Sequence, residues 1–133
     1  MNACRELGVS VIAYSPLGRG FLTGRYKSPD DFAPDDFRRT TPRFSVENFP
    51  KNLAVVRSLQ ALAKEKGVDA ASLTLAWLLA QGDDIIPIPG TSSRTNFDIN
   101  LEALNVKLTP EENAKIREVV NSAEIAGDRY HPE

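Results

Sequence analysis

Two short segments of the sequence contain residue types that bind phosphate, and each directly follows an apolar run. In the first, residues 15–20, Gly18 and Gly20 let the backbone approach an anion closely. Ser15 adds a hydroxyl and Arg19 adds a cation. Taken alone, a tight turn formed by its glycines explains the same residues. The segment is therefore a candidate phosphate-binding turn with an ordinary structural alternative.

The second segment, residues 90–94, combines a glycine, three hydroxyls and an arginine at a predicted helix start. Such a set suits a phosphate monoester, because arginine forms strong charge-assisted hydrogen bonds to phosphate oxygens. An ordinary helix cap beside a surface arginine is the alternative. Ligands of parallel α/β folds collect where the strands end. Two such segments after successive strands therefore indicate one shared anionic ligand.

The apolar runs before these segments predict two strands. Residues 9–14 are rich in β-branched side chains and predict a strand buried on both faces, as in parallel sheets. Residues 85–88 predict a second strand, which Pro87 and Pro89 should keep short because proline cannot donate to the strand ladder. The segment at 24–48 predicts a long loop, of the kind that forms a lid or is disordered.

Helical spacing and capping residues predict the remaining elements. Apolar residues around positions 53–63 predict a helix that ends at Gly67, and Asp69 caps a second helix over 70–81. A shorter helix containing 96–104 is predicted to be capped by Thr91 or Ser92. Thr109 and Glu112, with proline between them, predict a capping box for a last helix, after which the tail beyond Gly127 should fray. Strands alternating with helices predict a parallel α/β sheet covered by helices.

Composition limits the classes of function. The 133 residues are 41% hydrophobic and 26% charged, as in an ordinary globular domain, and the net charge of -2 gives no reason to expect nucleic-acid or membrane partners. The lone Cys4 excludes an intrachain disulfide and fits a reducing compartment. The only histidine, His131, has no partner at metal-ligand spacing, so we expect no metal. Since no apolar run approaches the ~20 residues that span a bilayer, we expect a cytoplasmic protein.

Taken together, the motifs closely resemble those of the aldo-keto reductases. The resemblance rests on Tyr-Ser-Pro-Leu-Gly-Arg-Gly at 14–20 and Ile-Pro-Gly-Thr at 88–91, in that order and roughly at that separation. It covers nearly the whole chain and is strongest toward the fungal and plant branch that includes perakine-reductase-like enzymes. It implies that residues 1–133 form the C-terminal segment of an NADP-dependent oxidoreductase domain, with 24–48 as a long loop within it. The implied fold is about the last two β/α units of a (β/α)8 TIM barrel, a fold of ~250 residues when complete.

The resemblance also implies a set of NADP(H)-binding residues. Tyr14 matches the tyrosine that stacks on the nicotinamide, the turn at 15–20 matches the pyrophosphate-binding turn, and residues 90–94 match the segment that holds the 2′-phosphate. Asn100 matches the asparagine that meets the adenine, although Ile99 stands where the family usually has an acidic residue. The full set is Tyr14, Ser15, Pro16, Leu17, Gly18, Arg19, Gly20, Ile88, Gly90, Thr91, Arg94 and Asn100.

The implied activity is NADPH-dependent reduction of an aldehyde or ketone to an alcohol. However, Tyr14, Tyr26 and Tyr130 do not match the proton-donating tyrosine of the family, whose aspartate, lysine and histidine companions also find no match. We therefore assign no catalytic residue and expect the chain alone to be inactive. The alternatives are a non-enzymatic interaction or regulatory fragment and a non-functional truncated gene product.

Overall fold

The computed structural model describes residues 1–131, which form two strands and five α-helices. The elements in chain order are α1 (Asn2–Glu6), β1 (Val11–Tyr14), α2 (Phe49–Lys66), α3 (Ala70–Leu79), β2 (Ile85–Ile88), α4 (Arg94–Glu102) and α5 (Pro110–Ser122).

The two strands pair in parallel, with Val11 opposite Ile85 and Tyr14 opposite Ile88. The predicted parallel α/β arrangement is therefore confirmed, and both strands end at the same edge. β2 has the predicted bounds, whereas β1 starts two residues later than predicted. The reason is local, because the amide of Val9 donates to the carbonyl of Cys4 in α1 and so belongs to the connection.

One face of this sheet is bare, meaning that no helix of the chain covers it and its side chains are exposed. Ile12, Tyr14, Ile86 and Ile88 alternate along the two strands with exposed fractions of 55%, 53%, 44% and 51%. Ile85, on the other face, is 6% exposed. The prediction that the first strand is buried on both faces is wrong, because the helices of this chain cover one face only.

A cluster of phenylalanines organises the loop at 24–48. Phe32 and Phe44 lie in the loop and pack edge-to-face with each other, and both contact Phe49 of α2. All three are at most 3% exposed. Full burial of a phenylalanine contributes roughly 1.5–3 kcal/mol. This burial holds the loop in three 3₁₀ turns, at 29–31, 37–40 and 42–44, so the loop is ordered.

Three of the four predicted caps form, although α3 ends at Leu79, two residues before the predicted 81, and α4 ends at Glu102 before the predicted 104. Gly67 ends α2 in a left-handed conformation (φ 73°), and the Asp69 carboxylate caps α3. Thr109 and Glu112 form the predicted reciprocal box, with bonds of 3.2 and 2.8 Å. The cap of α4 was predicted wrongly.

The residue that caps α4 is Ser93, whose hydroxyl accepts a bond from the amide of Asn96. The predicted caps, Thr91 and Ser92, precede it. Thr91 instead accepts a bond from the amide of Ser93 at 3.1 Å and tightens the turn before the helix. All three neighbouring hydroxyls could cap a helix, and only the backbone conformation decides between them.

Candidate functional site

The turn at 15–20 has an unusual backbone. Gly18 and Gly20 have positive φ, and so do Ser15 (φ 49°) and Arg19 (φ 58°), which carry side chains. A left-handed conformation at such residues costs of order 1–3 kcal/mol and is concentrated at functional sites. A Cβ on Gly20 would lie 3.2 Å from the ring of Tyr26, and a φ of 87° strains any other residue, so glycine is favoured there.

This backbone leaves two amides free. Gly18 and Gly20 donate to carbonyls within the turn, at 2.9 and 3.0 Å. The amides of Leu17 and Arg19 have no hydrogen-bond acceptor among residues 1–131. Although the amide of Gly18 between them is used within the turn, amides left free by a turn with positive φ can donate to an anion. The turn is therefore shaped to accept oxygens of an anion.

Packing holds the turn against two helices. The side chain of Leu17 is buried in a cluster with Ala71 and Leu75 of α3 and Ala103 just beyond α4. The buried hydroxyl of Ser72 in α3 donates to the carbonyl of Ile99 in α4 at 2.7 Å. The turn and the start of α4 are thereby fixed on either side of a cleft of about 250 Å³.

The cleft brings together seven of the twelve predicted site residues. They are Ser15, Pro16, Leu17, Arg19, Gly20, Gly90 and Asn100. The remaining five do not line it. Tyr14 and Ile88 are paired neighbours on the bare face of the sheet, and Gly18 lines a different cavity behind the turn. Thr91 bonds to Ser93 within its own turn, and Arg94 points outward.

Sequence reasoning missed several residues of the cleft. The ones with polar side chains are Thr23, Arg25, Tyr26 and Asn96, and Ala71, Pro89 and Ile99 complete the lining. Arg25 lies just past a left-handed glycine, and no motif marks it. Asn96 stands one helical turn (i, i+4) before the predicted Asn100, so helical spacing from that residue was the one signal that could have found it.

The electrostatic character of the cleft is positive. Arg19 and Arg25 line it, and none of the residues that line it is acidic. Neither arginine forms an ion pair within the described part of the chain. Two cations, two free amides and the amide side chains of Asn96 and Asn100 suit a ligand with phosphate groups and polar ring edges.

Residues 128–131 of the tail after Gly127 contact the rest of the chain, which differs from the predicted fraying; the last two residues of the predicted tail, 132 and 133, lie outside the described residues. The guanidinium carbon of Arg129 lies 4.1 Å from the ring centroid of Tyr14, and His131 contacts the carbonyl of Thr40. Cation–π stacking and bonds to the loop give these residues partners that the sequence did not reveal.

The tail also changes the ionisation of two phenols. A hydrogen-bonding interaction with Tyr130 raises the pKa of Tyr14. The same interaction, together with a hydrogen bond from Arg19, lowers the pKa of Tyr130. Both rings lie beside cations, because Arg19 is 4.9 Å from the Tyr130 ring. The region behind the turn is therefore rich in positive charge.

Two possible features are missing from the described residues. Within residues 1–131, no helix is both long enough and apolar enough to cross a bilayer. The same stretch has no group of three or more His, Cys, Asp or Glu arranged to hold a metal ion.

Comparison with known proteins identifies the family. Residues 1–121 match the model of the Aldo/keto reductase family, and the chain belongs to that family. It is 52% identical over 129 residues to the aldo-keto reductase str7 of Strobilurus tenacellus. It is also 52% identical over 132 residues to the aldo-keto reductase yakc [NADP(+)] of Schizosaccharomyces pombe.

These matches cover 97% and 99% of this chain but only 38% and 39% of the two relatives, so the chain spans well under half of their length. Among solved structures, a glycerol dehydrogenase from Gluconobacter oxydans superposes with a TM-score of 0.76 at 28% identity. The superposition covers 90% of this chain and 36% of that enzyme. The fold is therefore the C-terminal part of the (β/α)8 barrel, as the sequence predicted.

Proposed function

We propose that this chain is the cofactor-binding portion of an NADP(H)-dependent aldo-keto reductase that converts aldehydes or ketones to alcohols. The observation that carries the proposal is the cleft between the turn at 15–20 and α4, which has two arginines and no acidic residue in its lining. Family membership supports the same cofactor, since the relative from Schizosaccharomyces pombe is named for NADP(+).

The residues of the cleft fit the parts of a dinucleotide. The free amides of Leu17 and Arg19, with the Arg19 side chain, suit the pyrophosphate. Asn100 and Asn96 offer donors and acceptors to the edge of the adenine. For the 2′-phosphate the chain offers two cations, Arg94 as the sequence predicted and Arg25 inside the cleft.

NADPH, when bound, supplies a hydride to the carbonyl carbon of the substrate. This chain contributes the surface on which the nicotinamide would rest, namely the half-exposed ring of Tyr14 beside Ile88. The guanidinium of Arg129 lies over the Tyr14 ring, so a nicotinamide on the same ring face would require Arg129 to move. We assign no proton donor within the chain, so the activity belongs to a protein that also contains the rest of the barrel.

Calorimetric titration of the 133-residue chain with NADP⁺ and NAD⁺ tests the proposal. We expect saturable binding of NADP⁺, weaker binding of NAD⁺, and a loss of both on Asn100→Ala. The matched control is Asn113→Ala on α5, outside the cleft, which should leave binding unchanged. Absence of saturable NADP⁺ binding to a cooperatively folded chain would refute the proposed cofactor site.

The bare sheet face favours a second candidate function. Four large side chains on that face are exposed, which suits contact with another polypeptide. On this reading the chain acts as an interaction fragment without chemistry. It predicts a specific protein partner in a pull-down and no turnover, and recovery of chaperones alone would count against it.

A further inference from the structure

A second cavity, of about 230 Å³, lies on the other side of the turn at 15–20 and shares Ser15, Pro16 and Arg19 of that turn with the cleft. Three arginines line it: Arg19 from the turn, Arg43 from the loop and Arg129 from the tail. We infer that this cavity binds an organic carboxylate, with the carboxylate group at the arginines and an apolar body in the interior.

The three guanidinium groups have no counter-ion in the described part of the chain. None of them lies within 4.0 Å of a carboxylate of residues 1–131. Their partners in the structure are neutral: Arg43 donates to Gly127 and Arg19 donates to Arg129, each at 3.4 Å to a carbonyl, and Arg19 and Arg129 also lie beside the rings of Tyr130 and Tyr14. A guanidinium has five donors, so most remain unused. Like charges in half-buried positions repel, and a bound anion would relieve that repulsion.

Two hydrogen bonds between the buried Asn52 side chain and the backbone of Ala126, called the buried joint below, hold the tail in place. The fold therefore sets the position of Arg129. The side chain of Asn52, 1% exposed, donates to Ala126 at 2.9 Å and accepts from the amide of Ala126 at 2.7 Å. Gly127 follows with φ 81°, and a Cβ there would come within 2.8 Å of the Pro42 carbonyl. The chain can make this turn only with glycine.

The interior of the cavity is apolar, which distinguishes an organic carboxylate from an inorganic anion. Phe21, Leu22, Phe44, Val55 and Ile125 form most of the remaining wall. A small inorganic ion would contact the arginines and leave this wall to water. A carboxylate on an aromatic or aliphatic body would cover it and gain roughly 25 cal/mol per Å² of apolar surface.

A neighbouring apolar cavity is lined by a tryptophan whose fluorescence can report ligand binding. It shares Leu22, Val55 and Ile125 with the arginine-lined cavity and is also lined by Trp77, the only tryptophan of the chain. The indole Nε1 of Trp77 is buried without a hydrogen-bond partner among the described residues. Its fluorescence should therefore respond when a ligand enters this apolar region.

The inference does not depend on the proposed function. Arg43 and Arg129 do not line the cleft, and Arg25 and Asn100 do not line this cavity. Arg19 lines both sites and Arg129 lies over Tyr14, so the discriminating variants are Arg43→Gln and Asn100→Ala. Arg43→Gln should leave NADP⁺ binding unchanged and Asn100→Ala should leave benzoate binding unchanged, so the two proposals can fail separately.

The test is a titration of the 133-residue chain with benzoate, followed by Trp77 fluorescence and by calorimetry. Benzamide, its neutral counterpart, and inorganic phosphate are the comparison ligands. We expect benzoate to bind at least tenfold more tightly than either. Arg43→Gln and Arg129→Gln should each weaken benzoate roughly tenfold or more, because each removes a charge-assisted bond.

Arg43→Lys and Arg129→Lys, which keep the charge, should retain more affinity than the glutamine variants, and Arg57→Gln on the exposed side of α2 should change nothing. Thermal unfolding of every variant establishes that it is folded. Equal binding of benzoate and benzamide, phosphate binding as tightly as benzoate, or full affinity in both glutamine variants would overturn the inference. A chain without a cooperative unfolding transition would overturn it too, since no cavity would then exist.

Discussion

The Nε of Arg94 lies 3.0 and 3.1 Å from the two carboxylate oxygens of Asp98, one turn further along α4. The arginine side chain is 85% exposed and stands outside the cleft. An exposed pair at this spacing contributes about 0.3–0.5 kcal/mol. A charge-assisted hydrogen bond to a phosphate contributes about 1.5–3 kcal/mol. A 2′-phosphate within reach would therefore draw Arg94 away from Asp98.

The first prediction concerns cofactor choice in a complete enzyme that contains this chain. Arg94→Ala should weaken NADPH binding roughly ten- to a hundredfold and leave NADH nearly unchanged, because the 2′-phosphate is the only difference between the two. Cofactor titrations of both proteins measure this. Equal losses of affinity for the two cofactors, or no loss for either, would contradict the assignment of Arg94 to the 2′-phosphate. A selective loss of NADPH on Arg25→Ala, with none on Arg94→Ala, would transfer the role to Arg25.

The second prediction is that the 133-residue chain alone does not oxidise NADPH in the presence of a generic aldehyde. None of its tyrosines matches the proton donor of the family, and the sheet face that carries Tyr14 is half exposed and does not enclose a substrate. Absorbance of NADPH at saturating aldehyde is the measurement, with a complete family member as the positive control. Saturable oxidation by pure chain would contradict the assignment of no catalytic residue.

The third prediction concerns the buried joint between α2 and the tail. Asn52→Ala removes bonds to Arg43 and Ala126 and leaves buried backbone groups without partners. We expect the free energy of unfolding to fall by about 1–3 kcal/mol, measured by urea denaturation. The matched control is Ser58→Ala on the same helix, where an exposed hydroxyl is lost and the change should stay within about 0.5 kcal/mol. Similar effects of the two substitutions would show that the joint contributes little.

The fourth prediction concerns pH. Hydrogen bonds from the Arg38 side chain lower the pKa of Asp36 below its ordinary 3.8. A lowered pKa in the folded state stabilises the fold above the unfolded pKa, and this stabilisation is lost as the pH falls toward the folded value. The difference in unfolding free energy between wild type and Asp36→Asn should therefore be constant near neutral pH and shrink below about pH 4.

Asp35→Asn is the control for the pH prediction. Asp35 is the exposed neighbour of Asp36 and forms no ion pair among residues 1–131. Its unfolding curve should follow that of the wild type across the same pH range. If the two variants behave alike, the interaction between Asp36 and Arg38 does not stabilise the folded state.

Features set by local chemistry could be predicted from the sequence. β2 has its predicted bounds because prolines limit it, and the box of Thr109 and Glu112 forms because both partners lie within one turn. The choice of Ser93 over Thr91 as a cap could not be predicted, because neighbouring hydroxyls have the same capability and only backbone conformation separates them.

Features set by contacts between distant residues were missed. The bare sheet face depends on which elements cover β1, and strand composition alone does not reveal this. Arg25 lines the cleft because the chain turns back after the left-handed Gly24, a path that no periodicity encodes. The ordered tail depends on Asn52, which is 74 positions from Ala126.

The separation of Asn52 and Ala126 in sequence should affect when their contact forms during folding. Contacts between residues far apart in sequence form only after a long loop has closed, so the bond from Asn52 to Ala126 should be made late in folding. The segment after α5 has no helix or strand of its own, so we expect it to open locally while the core of α2 and α3 stays closed. The amide of Ala126 should then exchange with solvent deuterium sooner than the amide of Leu73. The frequency with which Arg129 leaves the ring of Tyr14 would then be set by this local opening and not by the stability of the whole fold.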